Sequence, residues 1–404
     1  MISIFKIKNY IFLVFLLAIT NRLAIAHSVS FLKPINSILF ITLLCFSILD
    51  FQRLIKFMKL NKIKLILIIL FIYPAIMIFF DLAQNFSFSK FTDAYLITFP
   101  YYALSFIAIP FAIFIKYQED FFGVYFKTNM AIIIFSLFFL IPIYSFMAFG
   151  DAYSLLDNCI LPLSFFSFSK IKKHKIIGFI FLSIGVFYVS IIASRSYFLV
   201  FTYLVLLLAI TYLKSEIRIV KSLLIAFVVF LIFSNTNVFS KFTDSPLFEK
   251  IKIESLINVI SSDRNTISSI NDYAEDSRTK IIQDAFKDFT LKNYLFGKGI
   301  FSKYESFTER NTIEIGWLQQ GYWFGFIFVI LALFIFLRSA ILCIRNKNPV
   351  YNFFGFIIII KTLDSFIYGM PTVSVYSFLV FIGLFLPYIK NFKLEKYIVI
   401  NQGA

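Results

Sequence analysis

The sequence predicts an all-α polytopic membrane protein with about 12 transmembrane helices, each of them an apolar run of about 20 residues. Three observations carry that fold class. The 404 residues are 60% hydrophobic and 20% aromatic, well above the half-apolar composition of a soluble chain. The apolar residues fall in long uninterrupted runs, not in the alternating segments of a transmembrane barrel. The formal net charge of +16 is concentrated in short loops on every second side of those runs. That distribution is the one membrane topology produces, and it argues against nucleic acid as a partner.

Taken in order, the expected spans cover 9–26, 36–52, 65–83, 94–115, 129–149, 153–169, 176–193, 197–213, 222–239, 316–337, 351–369 and 373–389. The sixth is the weakest, because Asp157 and Pro162 interrupt it. Lys6 and Lys8 precede the first span, and Ala24-x-Ala26 would suit a signal peptidase. With so many spans to follow, an uncleaved first helix is expected. The chain divides into helices one to nine within 1–239, a polar loop over 240–315, and three helices with a tail over 316–404. Together these form one integral membrane domain.

Placing the N-terminus inside puts Arg53, Lys56, Lys59, Lys172, Lys173 and Arg345, among others, in inner loops. The short outer loops then hold only Lys33, Lys90 and Arg195. Both termini are expected in the cytoplasm, and the large loop outside. A loop of that length is functional or disordered. Here "SRTKIIQDAFKDF" places Ile281, Ile282, Ala285, Phe286 and Phe289 on one helical face, with Ser277 as its N-cap. "LFEKIKIESLINVI" reads as a second, surface-lying helix. Gly297 and Gly299 are expected in a tight turn after the loop helix, since "GKGIF" lacks P-loop spacing.

Arg195 stands at the outer start of the eighth span, against the usual charge bias. Arg278 follows Ser277. Arg310 precedes "NTIE", where Asn311 and Glu314 resemble a capping box at the start of the tenth span. All three arginines are therefore expected at helix N-termini on one side of the membrane. Such termini attract anions, and the guanidinium fork fits phosphate. The plainer reading has Arg195 snorkelling to headgroups and the other two solvated. Glu314 and Glu275 are candidate proton acceptors, with a cap and a solvated loop charge as their alternatives. Asp81, near an outer span end, reads as an interface residue.

Lys361 and Asp364 lie three residues apart inside the eleventh span. Charges at that depth are costly and must pair or face a cavity. Their spacing predicts a structural ion pair, with a polar ligand lining as the second reading. Three scattered cysteines give no disulfide framework, and no HExxH, Asp-x-Asp or His/Cys cluster suggests a metal site. Neither a metal-dependent hydrolase nor an ATP motor is expected. There is no internal repeat, and no inverted pair of broken helices.

In layout the chain resembles bacterial O-antigen polymerases: about 12 spans, a late large outer loop, one arginine in a short outer hairpin and another in the large loop. Locally, "SRTKIIQDAFKDFTLKNYLFGKGIF" resembles that family's arginine, amphipathic helix and Gly-x-Gly pattern. "RNTIEIGWLQQGYWFG" resembles the stretch that follows the loop in polymerases and in O-antigen ligases. Ligases carry His before that Asn, where this chain has Arg310. The resemblance implies a GT-C-like, metal-independent glycosyltransferase of the bacterial inner membrane with a periplasmic loop. It implies undecaprenyl-pyrophosphate-linked glycans as donor and acceptor, no cofactor, and a possible chain-length regulator protein as partner. Arg195, Arg278 and Arg310 would hold pyrophosphate; Asn311, Lys298, Lys361 and Asp364 would line the substrate site. An O-antigen ligase and a lipid-linked oligosaccharide flippase are the rival readings.

Overall fold

A computed structural model of the protein describes residues 7–26, 31–55, 61–84, 98–117, 121–135, 155–169, 171–192, 195–212, 277–305, 309–310, 313, 315–346, 348–366 and 372–389. Apart from one pair of short strands, the regular elements among the described residues are helices. In chain order they begin with α1 (Ile7–Ala26), α2 (Leu32–Ile55), α3 (Asn61–Leu67), α4 (Tyr73–Gln84) and α5 (Phe99–Tyr117). Next come α6 (Phe121–Phe135), α7 (Leu161–Ser164), α8 (Lys172–Ile192) and α9 (Arg195–Tyr212). The polar region supplies α10 (Ser277–Phe286), α11 (Leu291–Phe296), β1 (Tyr304–Glu305) and β2 (Glu309–Arg310). The last helices are α12 (Gly316–Phe324), α13 (Phe326–Ile344), α14 (Pro349–Asp364) and α15 (Val375–Phe385).

Among the described residues, three helical stretches are long and apolar enough to cross a membrane: Leu32–Gln52, Ile63–Gln84 and Phe326–Ile344. Shorter apolar helices cover Asn9–Asn21, Phe99–Ile113, Leu156–Phe168, Tyr197–Thr211 and Val375–Tyr388. Burial divides the helices into two kinds. On α5, α14 and α15 nearly every described side chain is buried. On α2, α8 and α13 one face packs inward, while Ile38, Phe187, Ile330 and Phe334 stand exposed on the other. An apolar outward face suits lipid, as a polar one suits water.

Among the described residues, the π-turns Ile68–Ile72 and Leu156–Ile160 each stand just before a proline. Ile68–Ile72 precedes Pro74, and the Tyr73 N–H reaches back to Ile68 O. Leu156–Ile160 precedes Pro162, and the Leu161 N–H reaches Leu156 O. Proline offers no N–H and crowds the carbonyl four residues earlier, so a wider turn relieves both problems without ending the helix. In the second case the interrupted span stays helical from Leu156 to Phe168. Its π-turn carries Asp157 and Asn158.

Polar clasps fix the α1–α2 hairpin. Tyr10 Oη donates to Asp50 at 2.6 Å, and Asn36 Nδ2 donates to Asn21 at 3.0 Å. Between apolar helices such bonds add specificity that packing of hydrocarbon alone does not.

The tenth expected span departs from a continuous helix over 316–337. It is built as α12, a break at Gly325 with φ +85°, and α13. The N-cap of α12 is Ile315, and the expected capping pair, Asn311 and Glu314, lies outside the described residues. Of the other expectations, the ninth span, residues 136–149 of the fifth, and "LFEKIKIESLINVI" lie outside the described residues.

Candidate functional site

The described part of the polar region, from Ser277 onward, closes onto one end of the bundle, here termed the loop end. α10 packs its predicted face inward: Ile281 and Ala285 are buried, with Phe286 and Phe289 ring to ring at 4.5 Å. α11 follows, capped by the Thr290 hydroxyl, which accepts from the Asn293 N–H. The chain then turns through Gly297 (φ +80°) and Gly299 (φ +92°), conformations that L side chains rarely adopt. At this turn the loop backbone meets the end of α12. The Lys298 N–H donates to Tyr322 O at 2.8 Å, and the Gly299 N–H to Trp323 O at 3.2 Å. Tyr73 Oη donates to Phe324 O at 2.8 Å. Three terminal carbonyls of α12 are thus satisfied from outside the helix, as a buried helix end requires.

Asp81 completes the joint. It is buried on α4, and its carboxylate accepts from the Phe301 N–H at 2.8 Å. A Cβ at Gly299 would collide with that carboxylate. β1 and β2 pair antiparallel, Tyr304 opposite Arg310, and the Tyr304 ring lies edge-on to Tyr322 at 5.7 Å.

Below the joint lies a buried polar level. Trp317, at the start of α12, donates its N–H to Ser365 O and its indole N–H to Thr362 O, both at 3.0 Å. Its ring meets Phe336 at 5.5 Å. Phe336 sits about ten residues along α13 from Gly325, ~15 Å by helical rise. α12 therefore starts well inside the bundle, climbs back to the loop end and reverses at Gly325 into α13.

Several other helix ends meet at this level. Asn158 Oδ1 accepts from the Val375 N–H at 2.8 Å, tying the π-turn to the start of α15. Ser374 caps α15, accepting from the Ser377 N–H. Lys361 and Asp364, buried near the end of α14, form an ion pair at 3.3 Å. Lys361 Nζ also stands over the Tyr376 ring, 5.4 Å from its centroid. Asp157 and Tyr101 lie within electrostatic reach of Lys361. One ammonium is thus paired with one carboxylate beside a tyrosine ring, an arrangement that can bind hydroxyl-rich groups.

The candidate residues separate into three sets. Lys361 and Asp364 meet as their spacing predicts. Lys298 is half-buried, its ammonium 5.3 Å from the Phe289 ring centroid, so its described contact is with the loop's own core. The arginines are placed by backbone. Arg195 opens α9, and Arg278 is the second residue of α10, as expected for helix N-termini. Arg310 departs from that expectation: it lies in β2, because the helix begins only at Gly316. α8 runs back along the π-turn segment, with Gly178 against Ser167 and Gly185 against Ile160. That register carries the start of α9, hence Arg195, to the loop end. All three arginine backbones therefore sit at the same end of the bundle. Their side chains, and the whole of Glu275, Asn311 and Glu314, lie outside the described residues.

Sequence reasoning missed Asp81, Asn158 and Gly325. Asp81 is a loop anchor, which corrects its reading as an interface residue. The usable signal for Gly325 was a glycine inside an apolar helical run, "GYWFGF". Comparison of the chain with family models, with curated proteins and with solved structures gave no match in any of the three.

Proposed function

We propose that the chain is a membrane-embedded glycosyltransferase of the O-antigen polymerase type. It spans the bacterial inner membrane with about 12 helices in a GT-C-like architecture, each span an apolar run of the usual length. The loop end faces the periplasm and both termini face the cytoplasm. The substrates are repeat units carried on undecaprenyl pyrophosphate, one chain as donor and one unit as acceptor. The product is O-antigen or a capsular polymer.

The observation that carries this reading is the common placement of Arg195, Arg278 and Arg310 at the loop end, above a buried polar level. An acceptor hydroxyl attacks the anomeric carbon of the donor. The new glycosidic C–O bond forms as the bond to pyrophosphate breaks, and lipid pyrophosphate leaves with the electron pair. Guanidinium groups stabilise the charge that develops on the leaving group. Glu314 or Glu275 takes the acceptor proton. Asn311, Lys298, Lys361 and Asp364 line the sugar path. No cofactor takes part, and a chain-length regulator protein is a candidate partner.

The test is the lipopolysaccharide of a strain lacking this gene. Core capped with a single repeat unit supports the polymerase. Core without any repeat, alongside accumulated lipid-linked polymer, assigns the chain to the ligases instead. Failure to expose lipid-linked units on the periplasmic face points to a flippase, a reading that the length of the polar loop disfavours.

A further inference from the structure

The joint at the loop end leaves one face of α11 uncovered. Leu291 is 77% exposed and Phe296 47%, and Tyr294 and Leu295 are exposed beside them. Four large apolar side chains on a six-residue helix are poorly suited to water. Their position explains them. Tyr294 lies against Phe326, the first residue of α13, with ring centroids 6.0 Å apart. The Leu295 carbonyl abuts Gly325, where α13 begins. The exposed face of α11 is therefore continuous with the exposed Ile327 and Ile330 of α13, a helix long and apolar enough to cross a membrane. Around it, residues 284–303 carry four lysines against two aspartates, a net +2. Lys287 and Lys292 are exposed.

We infer that α11 is an interfacial membrane anchor: its apolar face inserts among the upper acyl chains, and Lys292 meets anionic headgroups. Amphipathic segments with flanking lysines bind bilayers in this way. The anchor holds the docked half of the loop at headgroup height. A lipid bilayer, not a protein partner, is the occupant the continuity with α13 selects.

Fluorescence in vesicles tests the inference on the full-length protein, without reference to any activity. Cys45 is exposed, whereas Cys159 and Cys343 are buried, so a Cys45→Ala background accepts single labelling sites. An environment-sensitive dye is placed at Leu291→Cys, Phe296→Cys and, as control, Lys287→Cys, in vesicles of phosphatidylcholine and phosphatidylglycerol. The inference expects blue-shifted emission at the first two sites, quenched by a nitroxide high on the acyl chain and spared by aqueous iodide. The control is expected to be quenched by iodide. Iodide quenching at Leu291 and Phe296 equal to the control overturns it. Shielding of both sites from both quenchers also overturns it, because protein then covers the face. Vesicles of phosphatidylcholine alone should admit more iodide at Leu291 and Phe296; unchanged access removes the headgroup part of the inference.

Discussion

The Asp81 carboxylate and the Phe301 amide are joined by a hydrogen bond of 2.8 Å across 220 positions of sequence. The bond ties the end of the polar region to α4, and Gly299 lets the backbone come close enough to make it. A carboxylate that reads as an interface residue is instead the anchor of the docked loop.

Asp81→Ala leaves the Phe301 N–H unpartnered in a buried place. The expected loss is about 1–3 kcal/mol of stability. Asp81→Asn keeps an acceptor and should lose less. Thermal unfolding in detergent compares the two, and limited proteolysis at 297–305 should speed up in the alanine variant only. Equal stability of all three proteins would contradict the anchor.

Gly325→Ala puts a Cβ against the Leu295 carbonyl at a φ of +85°. Such a conformation costs a non-glycine residue about 1–3 kcal/mol, and the backbone contact adds to it. The variant should unfold earlier than wild type. An unchanged melting temperature would mean that α12 and α13 do not reverse at this residue.

The Lys361–Asp364 pair gives a double-mutant test. Lys361→Met or Asp364→Leu alone strands a buried charge, at about 3–5 kcal/mol, whereas the double replacement should cost less than either. Thermal unfolding of the four proteins measures the coupling. If the double variant folds well and still extends glycans normally, the pair is structural only. Loss of extension in the folded double variant assigns it to the sugar path.

Arg278→Ala should lower chain growth about 100- to 1,000-fold, the usual loss when a donor to a developing anion is removed. Expression and membrane insertion should not change, because the residue sits in the first turn of α10. Gel analysis of the lipopolysaccharide chain-length distribution reads the result, and normal long chains would remove Arg278 from the mechanism.

The sequence made local features legible and hid long-range ones. The α10 face over 281–289 was visible because helical period is a local property. So was the turn at Gly297 and Gly299, since paired glycines after an amphipathic run have few other uses. The ion pair followed from three-residue spacing in an apolar helix. Asp81 could not be read, because its partner is a backbone amide far along the chain. The reversal at Gly325 was hidden for a different reason: the flanking residues are apolar on both sides, so hydropathy runs through the break. Arg310 was expected at a helix start, whereas it lies in β2 and the helix begins only at Gly316. The common placement of the three arginines was an expectation of topology alone, and packing of α8 against the π-turn is what supports it for Arg195.

The most direct test of the proposed transferase is extension in vitro. The purified protein in lipid nanodiscs is given only an undecaprenyl-pyrophosphate-linked repeat unit, and products are resolved by size. The proposal predicts a ladder of longer lipid-linked glycans with stoichiometric release of undecaprenyl pyrophosphate, lost in Arg195→Ala and Arg278→Ala. A folded protein that leaves the repeat unit unextended, or a ladder indifferent to both arginines, would contradict it.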